Sequence, residues 1–391
     1  MQVIISFVFA LFVFTLANIG VSAAPVPQNI GDALEIQYNA DSNHYANVNW
    51  SSVFGAVQPS TTAAAVSSAV QTTAAPAVTT SAAPVASVAP EPTSAAPATP
   101  SYSTSAAAAS PSTGTDSSKP LWGLTYSPYN NDGSCPDQSA VTAQLQKLVS
   151  VTDNIRLYST DCSQLEFVLK AISENNLNLD VYAGIWVSDG ASRVQSDLES
   201  FVSAVKAHPG LVKGVSVGNE DLFKGMAEST LIGYINQVRS RLQSEGLSSI
   251  PVSTTDTDAK ITSSVIAAVD LVQVNIYAVF DATFTSISNS VQSVITRANN
   301  IRGMAGSKPV RLGETGWASA GTATACPLTL ANQKEYAQAF RCAAKNSNLD
   351  YFFFEAKNAD WKPGATLLEK SFGLFDSSFN AKFDLNSLGS C

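Results

Sequence analysis

From Lys119 onward the chain alternates, eight times over, between short β-rich runs and stretches of helical periodicity. The spacing predicts strands over 121–128, 154–160, 179–187, 211–220, 250–256, 271–278, 308–317 and 350–356. Between them, amphipathic helical patterns cover 139–150, 164–175, 193–207, 229–245, 261–269, 287–301 and 331–345. A strand, a helix and a further strand pair parallel through a right-handed crossover. Eight such units in about 250 residues match the size of a closed (β/α)8 TIM barrel. The alternative is an open doubly wound sheet, but no Gly-x-Gly-x-x-Gly follows the first strand to support it. The eighth helix is the weak member, because LLEKSFGLF (367–375) is short. This α/β domain is assigned to 119–391.

The chain before it is different in kind. Residues 1–118 contain no Lys or Arg, so all 22 basic residues fall in the barrel segment. Residues 3–17 form an uncharged apolar run ending in small residues at Ala23, as in a cleaved secretory signal over 1–23. An uncleaved anchor is the alternative, but the run falls short of the ~20 apolar residues needed to span a bilayer. Between Thr61 and Ser118, 53 of 58 residues are Ala, Ser, Thr, Pro or Val. Such a segment cannot bury enough apolar surface to offset its ordering entropy. The region 24–118 is therefore expected to be a disordered, O-glycosylated extension; a plain flexible linker is the bland alternative. Asn49-Trp-Ser is an N-glycosylation sequon within it. The sequence FDLNSLGSC lacks the hydrophobic tail of a lipid-anchor signal, so no membrane anchor is expected in the mature chain. A secreted protein is the resulting expectation.

Charge and histidine content exclude further classes. The pI of about 4.8 gives no electrostatic footprint for nucleic-acid phosphates. Only His44 and His208 are available, and no Cys-x-x-Cys occurs, so neither a metal centre nor a cofactor site is expected. Hydrolytic chemistry would have to rest on carboxylates. The five cysteines suit an oxidising compartment. Cys135 and Cys162 follow neighbouring strands at one rim, and Cys326 and Cys342 lie close in sequence. Those two pairs are the expected bridges, leaving Cys391 unpaired or linked between chains. In the alternative, Cys391 pairs with one of the four and releases another.

In a barrel of this kind the C-terminal strand ends carry the site. In order they offer Tyr126 and Tyr129, Arg156, Tyr158 and Asp161, Trp186 and Asp189, then Asn219, Glu220 and Asp221. Strand six adds Asn275 and Tyr277, strand seven Glu314 and Trp317, strand eight Glu355 and Lys357. Glu220 and Glu314 would face each other across the mouth. Two carboxyl groups ~5–5.5 Å apart are what a retaining glycosidase needs, one as nucleophile and one as acid/base. Aromatic rings offer apolar faces to sugars, and Tyr126, Tyr158, Trp186, Trp317 and Trp361 are the candidate platforms. Arg156 would orient Glu314 or brace the barrel end.

The motifs LWGLTYSPY, IRLYSTDC, GIWV, VSVGNED, VNIYA, LGETGW and FGLF…FDL then acquire a common meaning. Over residues 121–385 the chain resembles the fungal cell-wall branch of glycoside hydrolase family 17, the β-1,3-glucanases and glucanosyltransferases. The resemblance implies Glu220 as proton donor and Glu314 as nucleophile. It implies Asn219 on the sugar 2-hydroxyl and Tyr277 holding Glu314. It further implies β-1,3-glucan as partner and the cell wall as location. Hydrolysis and glucan transfer stay open, as does action on another β-glucan. A glucan-binding wall glycoprotein without turnover is the non-enzymatic alternative. Lys357 departs from the aromatic residue the resemblance leads one to expect, which would alter a substrate subsite.

Overall fold

The structure, a computed structural model, describes residues 119–322, 325–388 and 391. The leader expected over 1–23 and the extension over 24–118 lie outside the described residues. Eight strands close into a barrel in sequence order, every pair parallel. They are β1 (Leu121–Thr125), β2 (Thr152–Arg156), β3 (Asp180–Ile185), β4 (Val212–Asn219), β5 (Val252–Thr257), β6 (Val272–Asn275), β7 (Val310–Thr315) and β8 (Tyr351–Phe353). Each is followed in turn by α1 (Gln138–Leu148), α2 (Gln164–Asn175), α3 (Ala191–Ala207), α4 (Glu228–Ser244), α5 (Ser263–Ala268), α6 (Ile287–Ala305), α7 (Leu330–Asn346) and α8 (Leu367–Lys370). The open-sheet alternative is excluded. The eighth helix is as short as LLEKSFGLF suggested: four residues, opened by a Thr366/Glu369 capping box.

Residue alternation sorts the two faces of the wall. Val181, Ala183 and Ile185 of β3, with Val272 and Val274 of β6, pack in the apolar core. The opposite set points inward and is polar in the middle of the barrel. There Arg156, Thr255, Ser216 and Gln273 bond to one another, with Arg156 Nη2, Ser216 Oγ and Gln273 Nε2 all reaching Thr255 Oγ1. At the floor, the Arg311 guanidinium lies over Tyr182 at 4.3 Å and Trp122 at 5.0 Å, closing that end.

Expected strands overran their true ends at the C-terminal side. Tyr158, Ser159 and Thr160 leave the ladder after Arg156, as do Trp186 and Val187 after Ile185. Of these, Tyr158, Ser159 and Trp186 line the mouth, while Val187 packs in the core and Thr160 donates to Asp197 on α3.

Two bulges set the aim of the strand ends. In the β4–β5 pairing, Ser216 sits opposite Ser253 but Asn219 opposite Thr255, so β4 carries one extra residue. In β6–β7, Val274 faces Leu312 while Asn275 faces Glu314, so β7 carries one as well. A bulge flips the side-chain phase of everything after it. Thr315 accordingly points outward, its hydroxyl 2.8 Å from Tyr336 on α7, and Glu314 points into the mouth.

The bridge Cys135–Cys162 is present as expected. The second is not: Cys342 pairs with Cys391, and Cys326 keeps its thiol, with Asn332 Nδ2 at 3.7 Å from its sulfur. Cys391 is therefore committed within the chain rather than to an intermolecular bond. Nearness in sequence was the wrong guide, because the chain's return along α7 brings residue 391 within 5.0 Å of residue 342 between Cα atoms.

Candidate active site

At the end of β4, Gly218 has φ +82°, and a Cβ there would stand 2.6 Å from Asp221 Oδ2 and 3.3 Å from Leu231 on α4. Glycine alone fits this bulge. The shift turns Asn219 inward, and Glu220 follows with φ 58°, a left-handed conformation that costs a glutamate on the order of 1–3 kcal/mol. Its backbone N–H donates to Thr255 O at 2.9 Å, and Asn275 Nδ2 donates to its Oε1 at 2.8 Å. Burial, reinforced by the negative Glu314, pushes its carboxyl up to about 7.

Glu314 reaches the same space from β7, behind Gly313, where a Cβ would meet Thr255 Cγ2 at 2.6 Å. Its carboxylate is nearly inaccessible and accepts from both sides: Arg156 Nη1 at 3.0 Å on Oε1, Tyr277 Oη at 2.7 Å on Oε2. Arg156 does both things considered for it. Its guanidinium also donates to Gly313 O at 2.9 Å and to Asn219 Oδ1 at 2.8 Å, and it rests 4.7 Å above the Tyr158 ring. One cation thus joins the bulged ends of β4 and β7.

The cleft above has a volume of ≈ 1120 Å³, counting its solvent-filled mouth. Glu220, Glu314, Asn219, Tyr277, Tyr158, Trp186 and Trp361 all line it. Tyr126 and Trp317 do not, which corrects two of the five candidate platforms. Both are fully buried. Tyr126 donates to Gln144 Oε1 at 2.7 Å on α1, and Trp317 stacks on Tyr336 of α7 at 5.4 Å. They face the helix layer. Trp361 packs on Tyr129 at 4.6 Å, and the Lys224 ammonium sits 5.1 Å from the Trp186 ring.

Glu355, in the sequence no more than a strand-end carboxylate, lines the cleft at 2% exposure. Burial pushes it up to about 7, against the pull of Lys362, whose Nζ lies 3.8 Å from its Oε1. Lys362 and Tyr129 also line the cleft. Lys357 lies elsewhere. Its ammonium donates to Tyr129 O at 2.7 Å and Asn131 Oδ1 at 3.2 Å, bracing the loop after β1, so it alters no cleft surface directly. Among the described residues, no group of three or more His, Cys, Asp or Glu could hold a metal, and no helix is long and apolar enough to cross a membrane.

Residues 123–373 match the model of the BtgE/BtgC glycoside hydrolase domain. The Aspergillus niger relative btgC, named as a glucan endo-1,3-beta-glucosidase, is 30% identical over 273 residues, covering 63% of this chain and 40% of that protein. The Saccharomyces cerevisiae protein SCW10, named as a family 17 glucosidase, is 34% identical over 261 residues, covering 65% of this chain and 64% of that one. The chain thus spans less than two thirds of the length of either relative. Among solved structures, a glycoside hydrolase family 17 beta-1,3-glucanosyltransferase from Rhizomucor miehei superposes with a TM-score of 0.60. It is 25% identical, and the match covers 68% of this chain and 97% of that one.

Proposed function

The chain belongs to the BtgE/BtgC glycoside hydrolase domain family, and from that premise we propose that it acts on β-1,3-glucan by double displacement with retention. The observation that carries the reading is the unlike pair of glutamates in one cleft: Glu314 with both oxygens occupied as acceptors, Glu220 kept protonated near neutrality by burial. In the first step a Glu314 oxygen attacks the anomeric carbon, and the bond to the glycosidic oxygen breaks. That oxygen leaves with the proton of Glu220. In the second step Glu220, now a carboxylate, takes a proton from the incoming nucleophile. That nucleophile's oxygen displaces Glu314 and regenerates both residues.

Asn219, steadied by Arg156, is suited to the sugar 2-hydroxyl, and Tyr158, Trp186 and Trp361 to its ring faces. Water as the second nucleophile gives hydrolysis; a sugar hydroxyl gives transfer. The names borne by btgC and the Rhizomucor miehei protein support one outcome each. The apolar leader and the Ser/Thr/Pro-rich stretch of the sequence support secretion to the cell wall. Incubation with defined laminari-oligosaccharides is the test. Shorter products mean hydrolysis and longer ones transfer, whereas an unchanged pool with retained binding returns the protein to the class of glucan-binding wall glycoproteins.

A further inference from the structure

Asp256, at the end of β5, is fully buried and sits behind the cleft wall rather than in it. Its Oδ2 accepts the backbone N–H of Leu222 at 2.8 Å, and its Oδ1 those of Phe223 at 3.2 Å and Thr257 at 2.8 Å. A second buried carboxylate, Asp221, accepts the N–H of Asn219 at 2.8 Å and the hydroxyl of Ser188 at 2.5 Å. The backbone is therefore gripped on both sides of Glu220, at 219 and at 222–223. Between these two grips Glu220 sits at φ 58°, its own N–H on Thr255 O at 2.9 Å. A non-glycine residue in that region persists only where its surroundings over-determine it.

We propose that Asp256, together with Asp221, is a positioning residue for the acid/base Glu220, gripping the 219–223 turn so that Glu220 stays aimed over the cleft. The inference rests on the reading of Glu220 as the proton donor. Charge adds to the grip. Glu314 from β7 and Asp256 from β5 both favour the protonated form of Glu220, while Lys224 on its own loop and the Asn275 amide from β6 oppose it. Asp256 is itself pushed up to about 6 by burial, against its three N–H donors and with Asp221 as the charged neighbour, so at neutral pH it is mostly ionised.

The test compares two substrates on the full chain carrying Asp256→Asn. Asparagine keeps one acceptor oxygen and turns an NH2 group on a backbone N–H. A laminari-oligosaccharide needs a proton on its leaving oxygen; a dinitrophenyl β-laminaribioside does not. Rates are expressed per active site, counted by covalent labelling with a 2-fluoro glycosyl reagent. Loss of aim at Glu220 lowers the glycosylation rate on the oligosaccharide by roughly 30–100-fold and on the aryl glycoside by less than about threefold. KM changes little, and the alkaline limb of the pH profile moves to lower pH. Equal losses on both substrates with an unmoved limb overturn the proposal. If Asp256→Asn does not fold, Ser188→Ala, at an exposed residue whose hydroxyl bonds to Asp221, gives the same pattern at a few-fold; an unchanged ratio of the two rates overturns it. A wild-type chain inactive on both substrates would instead sink the proposed function, leaving the two failures distinguishable.

Discussion

The ends of β4 and β7 are built by the same device and furnished in opposite ways. Each strand takes in one extra residue beside a glycine, Gly218 or Gly313, and each bulge turns a polar side chain toward the barrel axis. Around Glu220 the fixed charges are mainly negative: Asp256 beneath it and Glu314 across from it, opposed by the Lys224 cation on its own loop. Around Glu314 stand a guanidinium and a phenol. Burial and the facing Glu314 raise Glu220, whereas Glu314 accepts from two donors; in the proposed function the first gives the proton and the second attacks. Geometry brings the pair together; the local field tells its members apart.

The sharpest break of this comparison is to neutralise each glutamate in turn. Glu314→Gln should lower the rate by roughly 10⁴-fold or more on any substrate, because no covalent intermediate forms. Glu220→Gln should cost about 10²–10⁴-fold on glucan, yet recover much of its first-step rate on the dinitrophenyl glycoside. Pre-steady-state burst measurements on both substrates distinguish them, and equal recovery in the two variants would erase the assigned difference.

Arg156→Met removes the cation that joins the two ends. An uncompensated buried carboxylate at Glu314 should lower stability by about 3–5 kcal/mol, read from urea unfolding. A loss below about 1 kcal/mol would mean that Arg156 is incidental to the β7 end.

Protonation gives the next effect. The reading of Glu220 as acid places an alkaline limb in kcat/KM near pH 7, falling about tenfold per unit above it. Stability should follow the same direction. Glu220 and Glu355 rise from 4.5 to about 7 and Asp256 from 3.8 to about 6 on folding. The folded chain holds their protons where the unfolded chain has released them. The contribution of the two glutamates is complete below about 4.5 and is lost as pH climbs through about 7, and that of Asp256 is complete below 3.8 and lost through about 6. Urea midpoints should therefore be higher at about pH 5 than at about pH 7.5, and the reverse order would contradict the burial of these groups.

The smallest effect belongs to Tyr277→Phe, which takes one hydrogen bond from Glu314 and keeps the ring. A loss of about 1–1.5 kcal/mol, roughly tenfold in kcat/KM, is expected with little change in unfolding midpoint. A change confined to KM would point to a substrate contact instead.

The barrel and the facing glutamates were legible because alternation and strand-end chemistry are local properties of a sequence. Glycine inside a strand pattern even flags Gly218 and Gly313 as places where a strand departs from regularity. What a bulge does to aim is decided by the partner strand, and that lies outside any local window. Trp317, after the bulged β7, failed as a platform for this reason, whereas Tyr126 continues the unbroken alternation of β1 from Leu124. Tyr126 follows its strand end by one residue, as Trp186 does, and Trp317 by two, but their phase turns them to α1 and α7. Arg156 was legible as a rim cation, whereas its simultaneous hold on Asn219 and Glu314 needs three strands at once. The second disulfide likewise depends on where the return path along α7 ends.

That disulfide has a mechanical side. The bridge between Cys342 and Cys391 closes a covalent loop that contains β8 and the cleft residues Phe354, Glu355, Trp361, Lys362, Glu369 and Phe372. Tension applied at residue 391 passes through sulfur into α7 and bypasses the chain between the two cysteines. One wall of the cleft thus lies inside a covalent loop, off the covalent path that a load entering at residue 391 would take.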